Sequence, residues 1–175
     1  TEMAVGIQNA RLYENEQRRR QFAEMLESAG RSLASSLNLN EVLSRIMTTL
    51  DDLVSYERGL LLLQEGDDLK PRAWHGIDDI EHIKTLTIPI NKEGMYAQIA
   101  NMRSPLIIGD VQKEHSWIQQ EWLPFHRSWM GVPIISKDKV IGMISLTRQE
   151  PYAFDPEDAI WVSAFAMQSG IALEN

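Results

Sequence analysis

The sequence predicts an α+β domain: a mainly antiparallel sheet of about six strands with helices on its faces, and a long helix in front of it. Hairpin-like stretches carry this prediction. "RGLLLLQEGDDLKPRAWHG" and "SWMGVPIISKDKVIGMISLTRQ" stand at opposite ends of the strand-rich region, so the sheet is antiparallel at both. Helical spacing dominates the two termini, and no Ser/Gly/Pro-rich linker divides the interior.

The first element runs from about Ala10 to Ser36 without proline and with Gly30 as its one glycine. Leu12, Phe22, Leu26, Ala29 and Leu33 keep a spacing of three and four, while Asn15 and Arg19 are polar seam positions. Such a narrow stripe suits one partner helix better than a broad core. In "LNLNEVLSRIMTTLDDLV", Asn40 is the expected N-cap, and Val42, Leu43, Ile46, Leu50 and Leu53 share a core-facing side.

The first hairpin should turn at Gly66-Asp67-Asp68. "TLTIPI" follows as a strand whose Pro89 favours an edge or an end. "NKEGMYAQIANMR" regains helical spacing, and "SPLIIGDV" is a short strand ending at Gly109. "KEHSWIQQEWLPFHRS" reads as a helical turn or two stopped by Pro124, and the second hairpin turns at Lys137-Asp138-Lys139. Asp155 and Pro156 suit the N-cap and first position of a last helix. That helix should turn Ile160, Trp161, Ala164, Phe165, Gln168, Ile171 and Ala172 inward, and Met102, Met143 and Met167 read as core. Residues 1–36 are thus a connector and 37–175 the domain.

Composition narrows the function. With 25 acidic against 17 basic residues the net charge is -8, the opposite of a nucleic-acid-binding face. The chain has no cysteine, so disulfides, thiolate metal sites and Cys nucleophiles are excluded. No apolar run reaches membrane-span length, and the expectation is a cytoplasmic segment not inserted in a membrane. Of the histidines 75, 82, 115 and 126, none forms an i, i+4 pair, and Asp78-Asp79-Glu81-His82 reads as an exposed acidic loop. No metal site and no catalytic constellation is expected.

The stretch from Ser128 to Asn175 resembles the closing half of a GAF domain. The matching positions are Gly131-Val132-Pro133-Ile134, Gly142 with Leu146, Phe154-Asp155 with Glu157-Asp158, and the ending Ile171-Ala172-Leu173-Glu174-Asn175. "LNLNEVLSRIMTTLDDLVSYERGLLLL" resembles the family's first core helix and strand more loosely, so the resemblance covers about residues 37–175. The opening "AVGIQNARLYE" is similar to the "AIENARLYE" junction at which such domains continue into a next module. The resemblance therefore implies a GAF/PAS-like sheet in a multidomain bacterial signalling protein, of histidine kinase or cyclic-dinucleotide enzyme type. This chain would lie downstream of another sensory domain, with the first helix as the signalling connector and no catalysis of its own.

The first and last helices should then lie side by side. A homodimer is expected through Leu12, Phe22, Leu26, Ala29, Leu33, Trp161 and Gln168. The resemblance does not fix a ligand. Cyclic-nucleotide-binding members carry an Asn-Lys pair after the last strand, then a Phe and an Asp-Glu pair. Here Thr147-Arg148 follows the strand, Phe154 and Asp158 fit, and Ala159 replaces the glutamate, which argues against cyclic nucleotides. Covalent bilins and methionine sulfoxide reduction both need cysteine, which is absent. The pocket implied by the family would be lined by Met95, Tyr96, Trp117, Trp122, Phe125 and Trp129, with His126 and Ser128 orienting a small organic or anionic ligand. The same rings could instead fill the space. A small-molecule sensor and a ligand-free spacer and dimeriser both remain open on the sequence.

Overall fold

Hairpin chemistry sets the centre of the sheet. The computed structural model describes residues 2–34, 38–90, 93–117, 123 and 125–174, with backbone alone at 32–34. β1 (Arg58–Glu65) turns through Gly66-Asp67 into β2 (Asp68–His75), and β5 (Ser128–Ser136) turns through Lys137-Asp138 into β6 (Lys139–Arg148). Lys137 and Asp138 have φ of 49° and 61°, the primed turn whose twist matches the flanking strands. β1 and β6 join the hairpins antiparallel. β3 (Ile88–Pro89) and β4 (Leu106–Ile108) close the edges, giving the order β3-β2-β1-β6-β5-β4. Pro89, which has no N–H to give a ladder, sits on an edge as expected.

Strand alternation then separates two cores. Leu61, Met130, Val132, Ile144 and Leu146 face α1 (Glu2–Ala34), α2 (Leu39–Leu53) and α5 (Pro156–Glu174). Leu60, Leu62, Trp129 and Met143 face the other way, toward α3 (Ile80–Thr85), α4 (Met95–Met102) and a short 3-10 turn at Val111–Lys113. α3 stands where the sequence reads as an acidic loop. Asp79 caps it, accepting from the His82 N–H at 3.2 Å and lying 3.3 Å from His82 Nδ1. Among the described residues no group of His, Asp and Glu gathers as a metal site.

One helix start differs from expectation and one agrees with it. The N-cap of α2 is Asn38, not Asn40: its Oδ1 accepts from the Asn40 N–H at 2.9 Å. At α5, Asp155 and Asp158 cap reciprocally, each side chain accepting from the other's N–H at 2.9 Å, with Pro156 at the first position. The inward face of α5 is Ala159, Val162, Phe165, Ala166, Ser169 and Gly170. Phe165 was placed correctly by its spacing, whereas Ile160 and Ile171 stand exposed and Trp161 and Gln168 are half-buried on a flank. Met143 is core, but Met102 and Met167 are exposed.

That flank receives α1. The helix begins at Glu2 rather than Ala10, and residues 2–21 are exposed. From there Phe22 stacks on Trp161 with ring centroids 5.2 Å apart, and the Arg18 guanidinium lies 5.2 Å over the same indole. Gln168 packs against Gly30, so the two helices run parallel. Ala29 is buried in the cluster that holds α2 and α5, with Phe22 and Leu26 packed against it. Phe22, Leu26, Ala29, Trp161 and Gln168, expected to meet a second chain, make contacts within one chain, where Ala29 is buried and the other four stay half-buried. An α5 that is apolar on several sides offers the nearest partner for the stripe. Leu12 remains exposed, and the Leu33 side chain lies outside the described residues.

Candidate functional site

The register of three strands builds a wall. Arg58, Thr147 and Trp129 form one rank across β1, β6 and β5, and Leu60, Ser145 and Gly131 form another. Gly131 is small for a reason: a Cβ there would come within 2.4 Å of the Trp129 indole. Trp129 Nε1 donates to Ser145 Oγ at 2.8 Å, and Tyr96 OH lies 3.5 Å from the same oxygen. Tyr96 meets Trp129 edge-on at 5.7 Å, and Trp117 tilts against it at 5.6 Å. Burial pushes the Tyr96 phenol above its ordinary pKa, so it remains a neutral hydroxyl.

These rings do not fill the space in front of the sheet. A cavity of about 390 Å³ lies between them and the stretch from α3 to α4, within the size range of small-molecule sites. Leu60, Ile77, Leu86 and Met95 give it apolar walls, while Arg58, Tyr96, Ser145 and Thr147 add polar groups.

Met95, Tyr96, Trp117 and Trp129 come together around this cavity. Phe125, His126 and Ser128, also named from sequence, do not. Phe125 is 58% exposed and outside the wall, although its carbonyl accepts from Arg58 Nη1 at 3.4 Å. His126 is buried but stands behind Trp117, edge-on at 5.4 Å, and does not line the cavity. Ser128 is buried beside Trp129 in β5, and strand alternation turns it to the opposite face. Trp122 lies outside the described residues. The orienting role expected of His126 and Ser128 is therefore corrected: the polar wall is Arg58, Ser145 and Thr147. One signal for it was available. Ser145 and Thr147 alternate with Ile144 and Leu146 on an interior strand, where polar side chains are rare unless they serve a site.

The approach to β5 is pinned. Both oxygens of the buried Asp110 accept from the Arg127 guanidinium, and Oδ1 also accepts from the Gln112 N–H at 3.1 Å. The Arg127 hydrogen bonds hold the Asp110 carboxyl below the usual carboxylate range. Val111 N–H donates to the Arg127 carbonyl at 2.7 Å, completing the clasp.

An antiparallel sheet with a helix layer on one face and a ligand-sized cavity on the other defines a sensor-type α+β module. The chain belongs to the GAF domain family, whose model matches residues 36–174. Among solved structures it is similar to the GAF domain of an Acinetobacter phosphoenolpyruvate-protein phosphotransferase, at 15% identity and a TM-score of 0.75 over 87% of this chain and 92% of that one. It is also similar to free methionine-R-sulfoxide reductase from Neisseria meningitidis in complex with its substrate (19% identity, TM-score 0.73, 87% and 88% covered). A GAF domain/HD domain protein from Geobacter sulfurreducens gives 14% identity and a TM-score of 0.70, with 81% and 94% covered. At such identities the likeness is one of fold. Among the described residues no helix is long and apolar enough to cross a membrane.

Proposed function

We propose that this GAF domain is a non-catalytic sensory relay in a bacterial signalling protein of histidine kinase or cyclic-dinucleotide enzyme type. A small molecule occupies the cavity, and the α1–α5 pair passes its effect to neighbouring modules. The observation that carries this reading is the open, mixed-polarity cavity where the spacer reading requires a filled core. Strand alternation supplies a route. Trp129, Ser145 and Thr147 face the cavity, while Met130, Ile144 and Leu146 on the same strands pack toward the helix layer. A ligand that favours one setting of β5 and β6 thereby biases α5. Reductase chemistry like that of the Neisseria protein is not assigned, because a thiolate must attack the sulfoxide and this chain has no cysteine.

A fragment screen read by the indole N–H resonances of Trp117 and Trp129 tests the reading. Binding of small organic molecules should shift both signals strongly and that of Trp161, stacked on Phe22 at the α1–α5 seam, more weakly, as the relay moves the helices. If nothing in a chemically diverse library enters, the spacer reading stands in its place.

The dimer is proposed on a surface that keeps Leu12 of the stripe and otherwise differs from it. Ile160, Met167 and Ile171 are spaced by seven and four on α5 and are exposed, as are Val5 and Leu12 on α1. We expect them to meet a second copy of the chain, as a four-helix contact. Replacing Ile160 and Met167 with Glu should give a monomer that still folds, because both side chains are already outside the core. Sedimentation of the unaltered chain as a monomer at high micromolar concentration would remove this part of the proposal.

A further inference from the structure

The cavity wall holds hydrogen-bond donors with nothing to donate to among the described residues. Arg58 Nε, Trp117 Nε1 and Thr147 Oγ1 are buried in it and have no partner among the described residues. Thr147 is only 4% exposed. A buried polar group left unpaired forfeits its hydration without recovering a bond, so native proteins rarely gather several in one place.

These groups also lie together. Arg58 and Thr147 are Cα partners across β1 and β6, Thr147 and Trp129 are partners across β6 and β5, and Trp117 packs on Trp129. The guanidinium and the indole can only donate, and the hydroxyl donates as well as accepts. Whatever meets them must therefore present hydrogen-bond acceptors. Charge selects further. Arg58 brings a guanidinium, and among the described residues its Nη1 reaches the Phe125 carbonyl, at 3.4 Å. Glu93, the other charged residue of the wall, is exposed and keeps its hydration. The desolvated end of the cavity is thus positive. The rest is apolar or aromatic, through Leu60, Ile77, Leu86 and Met95 with the rings of Tyr96 and Trp129.

We propose that the ligand is a small carboxylate with an apolar or aromatic body, its oxygens held by Arg58, Thr147 and Trp117 and its body among the rings. This rests on the sensory reading above and names the class of molecule sensed. The donor atoms are closed to water in the empty protein, so the proposal requires that an entering oxygen displace the half-buried side chains of Arg58 and Trp117 to reach them. A cationic ligand would leave all of these donors unmet and face Arg58.

Matched probes test the class on the whole chain by calorimetry and tryptophan fluorescence: phenylacetate and indole-3-acetate, their neutral amides, and phenethylamine. The acids should bind, the amides should bind about tenfold or more weakly, and the amine should not bind. Arg58→Met should weaken the acids by about tenfold and the amides much less, so that the preference for acid over amide shrinks. Thr147→Val is the second variant. It should also weaken the acids, yet raise thermal stability or leave it unchanged, since it removes an unpaired buried hydroxyl. Equal binding of acid and amide, preference for the amine, or acid binding that ignores Arg58→Met overturns the proposal. Fragments that enter the cavity without any acid among them also overturn it, while leaving the sensory reading intact. An empty fragment screen overturns both.

Discussion

Trp129→Ala should lower the stability of the domain by about 3–5 kcal/mol, as full truncation of a buried aromatic does. Trp129 is 1% exposed, and its ring packs against Tyr96 and Trp117 over the space that Gly131 leaves open. Its removal joins the vacated volume to a cavity that already measures about 390 Å³, so the neighbouring rings lose the surface they lean on. Neighbours collapsing inward would offset little, because Tyr96 and Trp117 both depend on the same ring. Trp129→Phe separates packing from hydrogen bonding. It keeps an aromatic ring but removes the donor to Ser145 Oγ, a loss of about 1–3 kcal/mol. Urea denaturation should therefore rank alanine well below phenylalanine and phenylalanine below the natural residue. An alanine variant that unfolds at the natural midpoint would show that the indole does not organise the wall.

Local chemistry made much of the fold readable. The two hairpins announce themselves because a turn and its flanking alternation lie within a few residues of one another. α2 was legible because its apolar residues occupy one side only. α5 was not, although its caps were read correctly. Ile160, Trp161, Val162, Phe165, Met167 and Ile171 are all apolar, yet they serve three surroundings: the sheet, α1 and open solvent. Periodicity cannot choose among faces that look alike. α3 was hidden by its acidic start, where Asp79 works as a cap rather than as a loop residue. The stripe on α1 showed that a partner helix is needed, and α5, expected beside it, is that partner. How much of the stripe this pairing covers is a tertiary fact that spacing alone could not show.

The site divides along the same line. Its aromatic half was visible because Trp117 and Trp129 stand close in sequence and rings are few. Its polar half left only the alternation of Ser145 and Thr147 as a signal, because Arg58 and Thr147 come from opposite ends of the domain, and only the β1–β6 register sets them opposite each other. His126 and Ser128 mislead for the converse reason. Nearness along the chain to Trp129 does not place a side chain on the same face of a strand.

Gly170→Leu should cost about 3 kcal/mol or more, and Gly170→Ala about 1 kcal/mol, against the sign that helix propensity alone predicts. In an exposed helix interior, alanine is better than glycine by about 1 kcal/mol. Gly170, however, is buried where α5 crosses β5, and a Cβ there would stand 2.7 Å from the Ile135 carbonyl oxygen. That atom is backbone, so it cannot swing aside as a side-chain end would; either the helix lifts or the strand bends. Ala166 and Ser169 on the same face are small as well, which lets the helix lie close along its length. The overpacking term of about 1–3 kcal/mol therefore outweighs the propensity gain for alanine, and leucine adds volume with nowhere to go. The same closeness is what would let a shift in β5 reach α5 without being absorbed by mobile side chains. Denaturation midpoints should fall in the order glycine, alanine, leucine. A Gly170→Ala variant more stable than the natural chain would mean that α5 rides loosely on the sheet, and the relay from cavity to terminal helices would lose its mechanical basis.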